Sequence, residues 1–176
     1  MKAEGRLKSL LWPSVRTSND VDYLGTQGYW VCFIVGVLSL LLSAVEGHPI
    51  AALFVLFFYY LGGVGVREHS RYAALVVFVM FLIDSLGGGN PAFRILIAAL
   101  LLANLRATWI ASRWKPGADE SAAVPRFNET WGDKFADQFP MWLWPKIRIV
   151  FYIYSVGFLL LTSIGIVILI ERRLLF

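Results

Sequence analysis

Residues 90–114 have the sequence NPAFRILIAALLLANLRATWIASRW, and this stretch decides the class of fold. It is apolar over a length that suits a membrane-crossing helix, for which about 20 residues are needed. It nevertheless carries Arg94 and Arg106 near its two ends, with Asn104 and Thr108 beside the second arginine. An ionisable group in such a helix costs about 2.5–3.5 kcal/mol on insertion scales, so neighbouring helices must shield it or pair with it.

The composition of the whole chain is typical of a membrane protein. Of its 176 residues, 58% are hydrophobic and only 16% are charged. Soluble domains have about 45–50% apolar and about 25% charged residues. The net charge of +4 comes from basic residues at the ends of apolar runs, where such residues orient membrane helices. We therefore expect a lipid bilayer as partner, and no nucleic acid.

Five apolar runs predict five membrane-spanning helices in a single domain, residues 1–176. The predicted spans are residues 29–45, 50–66, 72–86, 93–112 and 149–170. The third and fourth spans form either a full hairpin or a shallower re-entrant pair that is buried in protein. The predicted fold is an all-α integral membrane protein, with an interfacial amphipathic helix between the fourth and fifth spans.

The amphipathic helix is predicted at residues 127–139 from an aromatic stripe with four-residue spacing: Phe127, Trp131, Phe135 and Phe139. Its polar face is more acidic than basic, which argues against attraction to anionic lipid. Docking on the protein's own helices or on a partner is the favoured interpretation, and lying on lipid is the alternative. Trp142 and Trp144 follow this helix and are predicted to be interfacial as well.

The distribution of basic residues predicts an orientation. With the amino terminus in the cytoplasm, 13 of the 16 lysines and arginines lie on the inner side of a five-span topology. All seven tryptophans fall at or near the same face, where amphipathic rings anchor at headgroup depth. Five spans then place the carboxyl terminus on the opposite side of the membrane.

This topology gathers the polar residues into two groups, which are the candidate functional residues. The outer group is Glu46, His48, Asp84, Asn90 and Arg94, and the inner group is Asp20, Asp22, Glu68, His69, Arg71, Asn104, Arg106 and Thr108. We expect Arg94 to neutralise Glu46 or Asp84. On a helix, Asn104 and Thr108 share a face, whereas Arg106 points about 200° away. Arg106 is interpreted as a structural ion pair or a snorkelling anchor, and contact with a substrate or ion is the alternative.

His48 and His69 are the candidate cofactor ligands. They flank the second span and are separated by about 31 Å of helix, so they cannot hold one haem between them in a monomer. The chain has no Cys/His pattern of a metal site and no evident nucleophile–base pair. We therefore expect no metal, no catalytic residue and no enzymatic activity. Bound lipid is the only non-protein component that we expect.

Four short motifs resemble a group of small, uncharacterised bacterial membrane proteins. They are LWPS at residues 11–14, QGYW at 27–30, NPAF at 90–93 and NLRATW at 104–109. That group has four predicted spans and an Asn/Arg/Thr motif that ends the fourth. The resemblance covers about residues 1–115; the amphipathic segment and the fifth span depart from the pattern. It implies a bacterial inner-membrane location and no established activity. In such a membrane the five-span topology makes the carboxyl terminus periplasmic.

Three functions are compatible with these features. The favoured one is a non-catalytic accessory subunit that packs against a larger membrane protein complex, for example a respiratory or photosynthetic one. Its support includes the aromatic stripe and the small residues Ser39, Ser43 and Gly47, whose four-residue spacing suits a close helix–helix approach or arises by chance. The first alternative is a small oligomeric transporter or channel with Arg106 and Asp84 in a polar path. The second is a cofactor- or pigment-binding membrane protein.

Overall fold

The computed structural model describes residues 15, 18–85, 90–113, 131, 135 and 142–174, and within these residues it contains five helices and no strand. The helices are α1 (Ser18–Val45), α2 (Pro49–Arg67), α3 (Arg71–Ser85), α4 (Pro91–Ala111) and α5 (Trp144–Leu174). All except α3 are long and apolar enough to cross a membrane. The chain is therefore an all-α membrane protein.

Helix α1 begins eleven residues before the predicted span, at Ser18 rather than at residue 29. The segment before residue 29 looks polar, but its small and apolar residues recur with helical spacing at Val21, Leu24, Gly25 and Gly28. All four are buried against the rest of the bundle. Packing, rather than apolar composition, therefore extends this helix beyond the predicted boundary.

Helix α3 is the short member of the bundle. Its 15 residues extend about 22 Å at 1.5 Å per residue, which is less than the hydrocarbon thickness of about 30 Å. Helix α4 has 21 residues and is a candidate span. The third and fourth runs therefore form two antiparallel helices of unequal length that pack against each other.

Helix α2 lies at the centre of the bundle and packs against α1, α3 and α5, while α4 packs against α1 and α3. The core is rich in aromatic residues. Its most deeply buried side chains include Tyr29, Cys32, Phe58, Tyr59, Val77 and Phe151. The centre of α2 is therefore covered by three other helices, and α5 is attached to the bundle mainly through α2.

Close packing around α2 depends on glycines near its end. The sequence 62–65 (GGVG) looks like a loosened helix end, but the helix continues to Arg67 and these residues are buried. A Cβ atom on Gly62 would overlap Val77, and one on Gly65 would overlap the Trp144 ring and lie 2.5 Å from the Cβ of Ala73. These glycines let α3 and α5 approach the backbone of α2 directly.

The predicted contact stripe on α1 is wrong at its last position. Gly47 follows the end of the helix with φ 85°, and nothing would lie within 4 Å of a Cβ atom there. The close contacts of α1 are made instead at Gly28, beside Val66 and Asn104, and at Gly36, beside Leu56 and Tyr59.

The aromatic residues after α4 differ in their surroundings. Phe135 stacks on Trp30, with ring centroids 5.3 Å apart, and Trp131 stacks on Phe135 but is exposed. This contact supports docking of the stripe on the protein's own helices. Phe139 and the rest of the predicted helix 127–139 lie outside the described residues.

The two tryptophans that follow the stripe also differ. Trp142 is exposed, and the ammonium group of Lys146 lies 5.1 Å from its ring centroid. Trp144, which was predicted to be interfacial, is buried because its ring fills the space beside Gly65.

Candidate functional site

Polar side chains gather at the two ends of the bundle. At one end, where α2 ends and α4 approaches its last turns, Asp22, Arg67 and Asn104 form what we call the polar junction. At the other end, where α3 ends and α4 begins, polar residues line what we call the Asp84 cavity. The two groups correspond to the inner and outer groups expected from the sequence, but with different members and partners.

The centre of the polar junction is an ion pair between α1 and α2. Arg67 is almost completely buried, and its Nη1 donates to Oδ1 of Asp22 at 2.5 Å and to the Asp22 carbonyl oxygen at 3.2 Å. The Asp22 side chain is 39% exposed, so this carboxylate keeps part of its hydration. The pair fixes the first turns of α1 to the last turn of α2. Sequence reasoning missed Arg67 as an ion-pair partner, because it looks like one more orienting charge.

Asn104 joins α4 to α1 at the same junction. Its Nδ2 donates to the carbonyl oxygen of Leu24 at 2.7 Å, and the missing side chain of Gly28 leaves room for the amide. Thr108 is buried on the same face and donates to the Asn104 carbonyl oxygen at 3.0 Å. Arg106 is only partly buried. The helical spacing thus places Asn104 and Thr108 on one buried face of α4, as the sequence predicts, and Asn104 contacts α1 from that face.

The Asp84 cavity has a volume of about 470 Å³ and lies between the ends of α1, α3 and α4, with α2 at its base. Its polar lining residues are Ser39, Tyr59, Asp84, Ser85, Asn90 and Arg94. The Tyr59 hydroxyl donates to Oδ2 of Asp84 at 2.8 Å. Tyr59 was not a candidate from the sequence, because it lies within an aromatic run. A buried tyrosine hydroxyl usually has a hydrogen-bond partner, and this general rule is the signal that points to Tyr59.

The expected neutralisation by Arg94 is wrong. Among the described residues, Arg94 forms no ion pair with Asp84 or Glu46, although Arg94 and Asp84 line the same cavity. Nη2 of Arg94 is buried and has no hydrogen-bond partner there. Asn90 caps α4 by accepting the N–H of Ala92 at 3.0 Å. Nη2 of Arg94 is therefore a buried donor whose hydrogen-bonding capacity is not used by the described part of the chain.

The histidines lie at opposite ends of α2. His48 immediately precedes the helix, and His69 follows it with φ 54°; both are exposed. This placement agrees with the large separation expected from the sequence. Among the described residues, no group of three or more His, Cys, Asp and Glu side chains is placed to hold a metal ion.

Comparison with protein-family models, characterised proteins and solved structures finds no match to this chain. The resemblance of its short motifs to small bacterial membrane proteins stays a prediction.

Proposed function

We propose that this chain is a non-catalytic subunit that packs against a larger membrane protein through the second half of α5. The observation that carries the proposal is the mismatch in length between α5 and the bundle to which it is attached. Helix α5 has 31 residues, whereas its neighbour α2 has 19.

The register of the two helices is given by two contacts. Trp144 lies beside Gly65, and the Tyr154 hydroxyl donates to the Phe54 carbonyl oxygen at 2.7 Å. Because the helices are antiparallel, this register places the start of α2 beside about residue 160 of α5. The apolar run then continues to Ile170, about 15 Å further along the helix axis.

This apolar extension needs a cover. Helix α2 is about 28 Å long at 1.5 Å per residue, close to the hydrocarbon thickness of about 30 Å. If α5 stays alongside α2, its extension reaches into the headgroup region or beyond. Its exposed side chains include Leu160, Leu161, Ile164, Val167 and Ile168. A protein partner that covers these residues removes them from water, which is the main favourable term in association.

The glycines of α5 support the proposal that the partner contacts α5 through a helix. Each of the six described helical glycines in α1 and α2 has a neighbour within 3.2 Å of where a Cβ atom would lie. Gly157 and Gly165 of α5 have none within 4 Å in the described part of the chain. A glycine inside a helix costs about 1 kcal/mol relative to alanine, and close approach of another helix offsets that cost. The pair lies about 80° apart around the helix, on one side.

The proposal is tested by purification from the native membrane in a gentle detergent, followed by mass spectrometry and an absorption spectrum of the same fraction. We expect stoichiometric co-purification with a larger membrane protein. Gly165→Leu should release that protein while the chain remains folded, and the matched variant Val150→Leu, at an exposed position in the first half of α5, should retain it. A particle that contains this chain alone would contradict the proposal.

Transport is the second candidate function, and the Asp84 cavity is the observation that favours it. A path from Asp84 to Arg106 would have to pass α4, whose buried residues between Arg94 and Asn104 are apolar: Ile97, Leu101 and Ala103. Arg106→Leu separates the candidates, because a transporter should lose flux while still assembling. Absorption of visible light by the purified fraction would instead favour the third candidate function, a cofactor or pigment carrier.

The proposed location is a bacterial inner membrane, with the amino terminus in the cytoplasm and five crossings. It is supported by the asymmetric distribution of basic residues. Reporter fusions after Gly88 and after Phe176 test it, and both should be periplasmic. Cytoplasmic activity of both fusions would refute the five-span topology.

A further inference from the structure

The Asp84 cavity carries two opposite charges that do not form an ion pair with each other. Asp84 accepts a hydrogen bond from Tyr59, and no ion pair joins it to Arg94. Nη2 of Arg94 is buried without a partner in the described part of the chain. A buried guanidinium N–H that lacks an acceptor is costly, so a ligand that supplies an acceptor is favoured.

The charges select the class of ligand. A simple anion at Arg94 would be opposed by the Asp84 carboxylate in the same cavity, and a simple cation at Asp84 would be opposed by Arg94. A zwitterion avoids both conflicts, because its ammonium group can face Asp84 while its anionic group faces Arg94. The start of α4, next to Arg94, adds the positive end of a helix dipole on the side of the anion.

The remaining walls indicate an apolar part of the ligand. Leu38 and Leu42 of α1, Phe81 of α3 and Phe93 of α4 line the cavity beside the charged residues. Its volume of about 470 Å³ lies within the range of roughly 300–1,000 Å³ of small-molecule sites. We infer that the Asp84 cavity binds a zwitterionic amphiphile, with an ammonium group at Asp84, an anionic group at Arg94 and an apolar portion against Leu38 and Phe93.

Two sources supply this chemistry. Asp84 is the penultimate residue of α3 and Arg94 is the fourth residue of α4, so both lie within about one helical turn, or about 5 Å, of the ends of these helices. That position suits the headgroup of an aminophospholipid whose acyl chains run along α1. A free apolar amino acid, with its carboxylate at Arg94, presents the same pair of charges. The inference is independent of the packing of α5.

The test titrates the full-length, delipidated protein in detergent and measures binding by native mass spectrometry. The probes are phosphatidylethanolamine, phosphatidylglycerol with the same acyl chains, and free leucine. If the lipid is the source, phosphatidylethanolamine should bind about tenfold or more tightly than phosphatidylglycerol, as expected for one hydrogen bond between charged groups. If the amino acid is the source, leucine should bind and neither lipid should show this preference.

Variants assign the charges. Asp84→Asn keeps a hydrogen-bond acceptor for Tyr59 but should remove the preference for the ammonium-bearing lipid, or abolish leucine binding. Arg94→Gln should weaken both lipids, and leucine, by about tenfold or more. Arg71→Gln, an exposed arginine at the opposite end of α3, is the matched control and should change nothing.

A separate variant distinguishes loss of ligand binding from loss of folding. Ser39→Leu narrows the cavity from α1 without touching either charge, and it should block binding while the thermal transition is unchanged. Three results together would overturn the inference: the two lipids bind equally well, Asp84→Asn does not change their binding, and leucine does not bind. Binding of the lipid or of leucine that persists in Ser39→Leu would also overturn the inference.

Discussion

Replacing Gly65 by alanine tests the central packing of the bundle. The added methyl group would overlap the Trp144 ring and lie 2.5 Å from the Cβ of Ala73. Carbon atoms in contact prefer separations of about 3.5–4.0 Å. The Cβ of Ala73 is attached to the backbone and cannot rotate away. The conflict with Ala73 is therefore relieved only if α3 shifts by about 1 Å, and the Trp144 ring must also move away from the new methyl group.

The expected change in the free energy of unfolding is the sum of two opposing contributions. An extra methyl group in a well-packed core costs about 1–3 kcal/mol, and the rigid neighbours here place Gly65→Ala at the upper end. Replacing glycine by alanine inside a helix stabilises the folded state by about 1 kcal/mol. We therefore expect a net loss of about 2 kcal/mol in the free energy of unfolding.

The assay is equilibrium unfolding of the full chain in mixed detergent, followed by tryptophan fluorescence. Gly165→Ala is the matched control, because it makes the same change in α5 at a position with nothing within 4 Å in the described residues. It should be neutral or stabilising by up to about 1 kcal/mol. In a Trp144→Leu background, Gly65→Ala should cost less. Equal stability of Gly65→Ala and Gly165→Ala would refute the close approach of α3 and α5 to α2.

Three further predictions use the same unfolding titration. Arg67→Leu removes charge-assisted hydrogen bonds at the polar junction and should cost about 1.5–3 kcal/mol, whereas the exposed Arg71→Gln should stay within about 0.5 kcal/mol; equal effects would contradict the ion pair. Asn104→Ala removes a buried hydrogen bond between α4 and α1 and should cost about 1–2 kcal/mol, and a neutral result would argue against that contact. Phe135→Ala should cost about 1–2 kcal/mol by removing a partly buried ring from α1. The exposed Trp131→Ala should stay within about 0.5 kcal/mol, and the reverse order would contradict the described stacking.

The fold class and the approximate positions of the helices follow from the sequence alone. In a bilayer, each spanning segment must satisfy its backbone hydrogen bonds internally, so a long apolar run specifies a helix without reference to the rest of the chain. Local residues also mark several ends, such as Asn90 with Pro91 at the start of α4. The spacing of Asn104 and Thr108 likewise predicts a shared polar face.

Which helix faces meet is decided only by the tertiary structure. Tyr59 joins Asp84, Arg67 joins Asp22, and Arg94 is left without the expected carboxylate partner. These pairings depend on how far each helix rotates about its axis, and that rotation is set by contacts between distant segments, such as Gly65 with Trp144. A single helix has no local preference for one rotation within an apolar environment. The sequence by itself therefore determines that these polar residues belong to a helical bundle, whereas the packing of glycines against large side chains determines which of them meet.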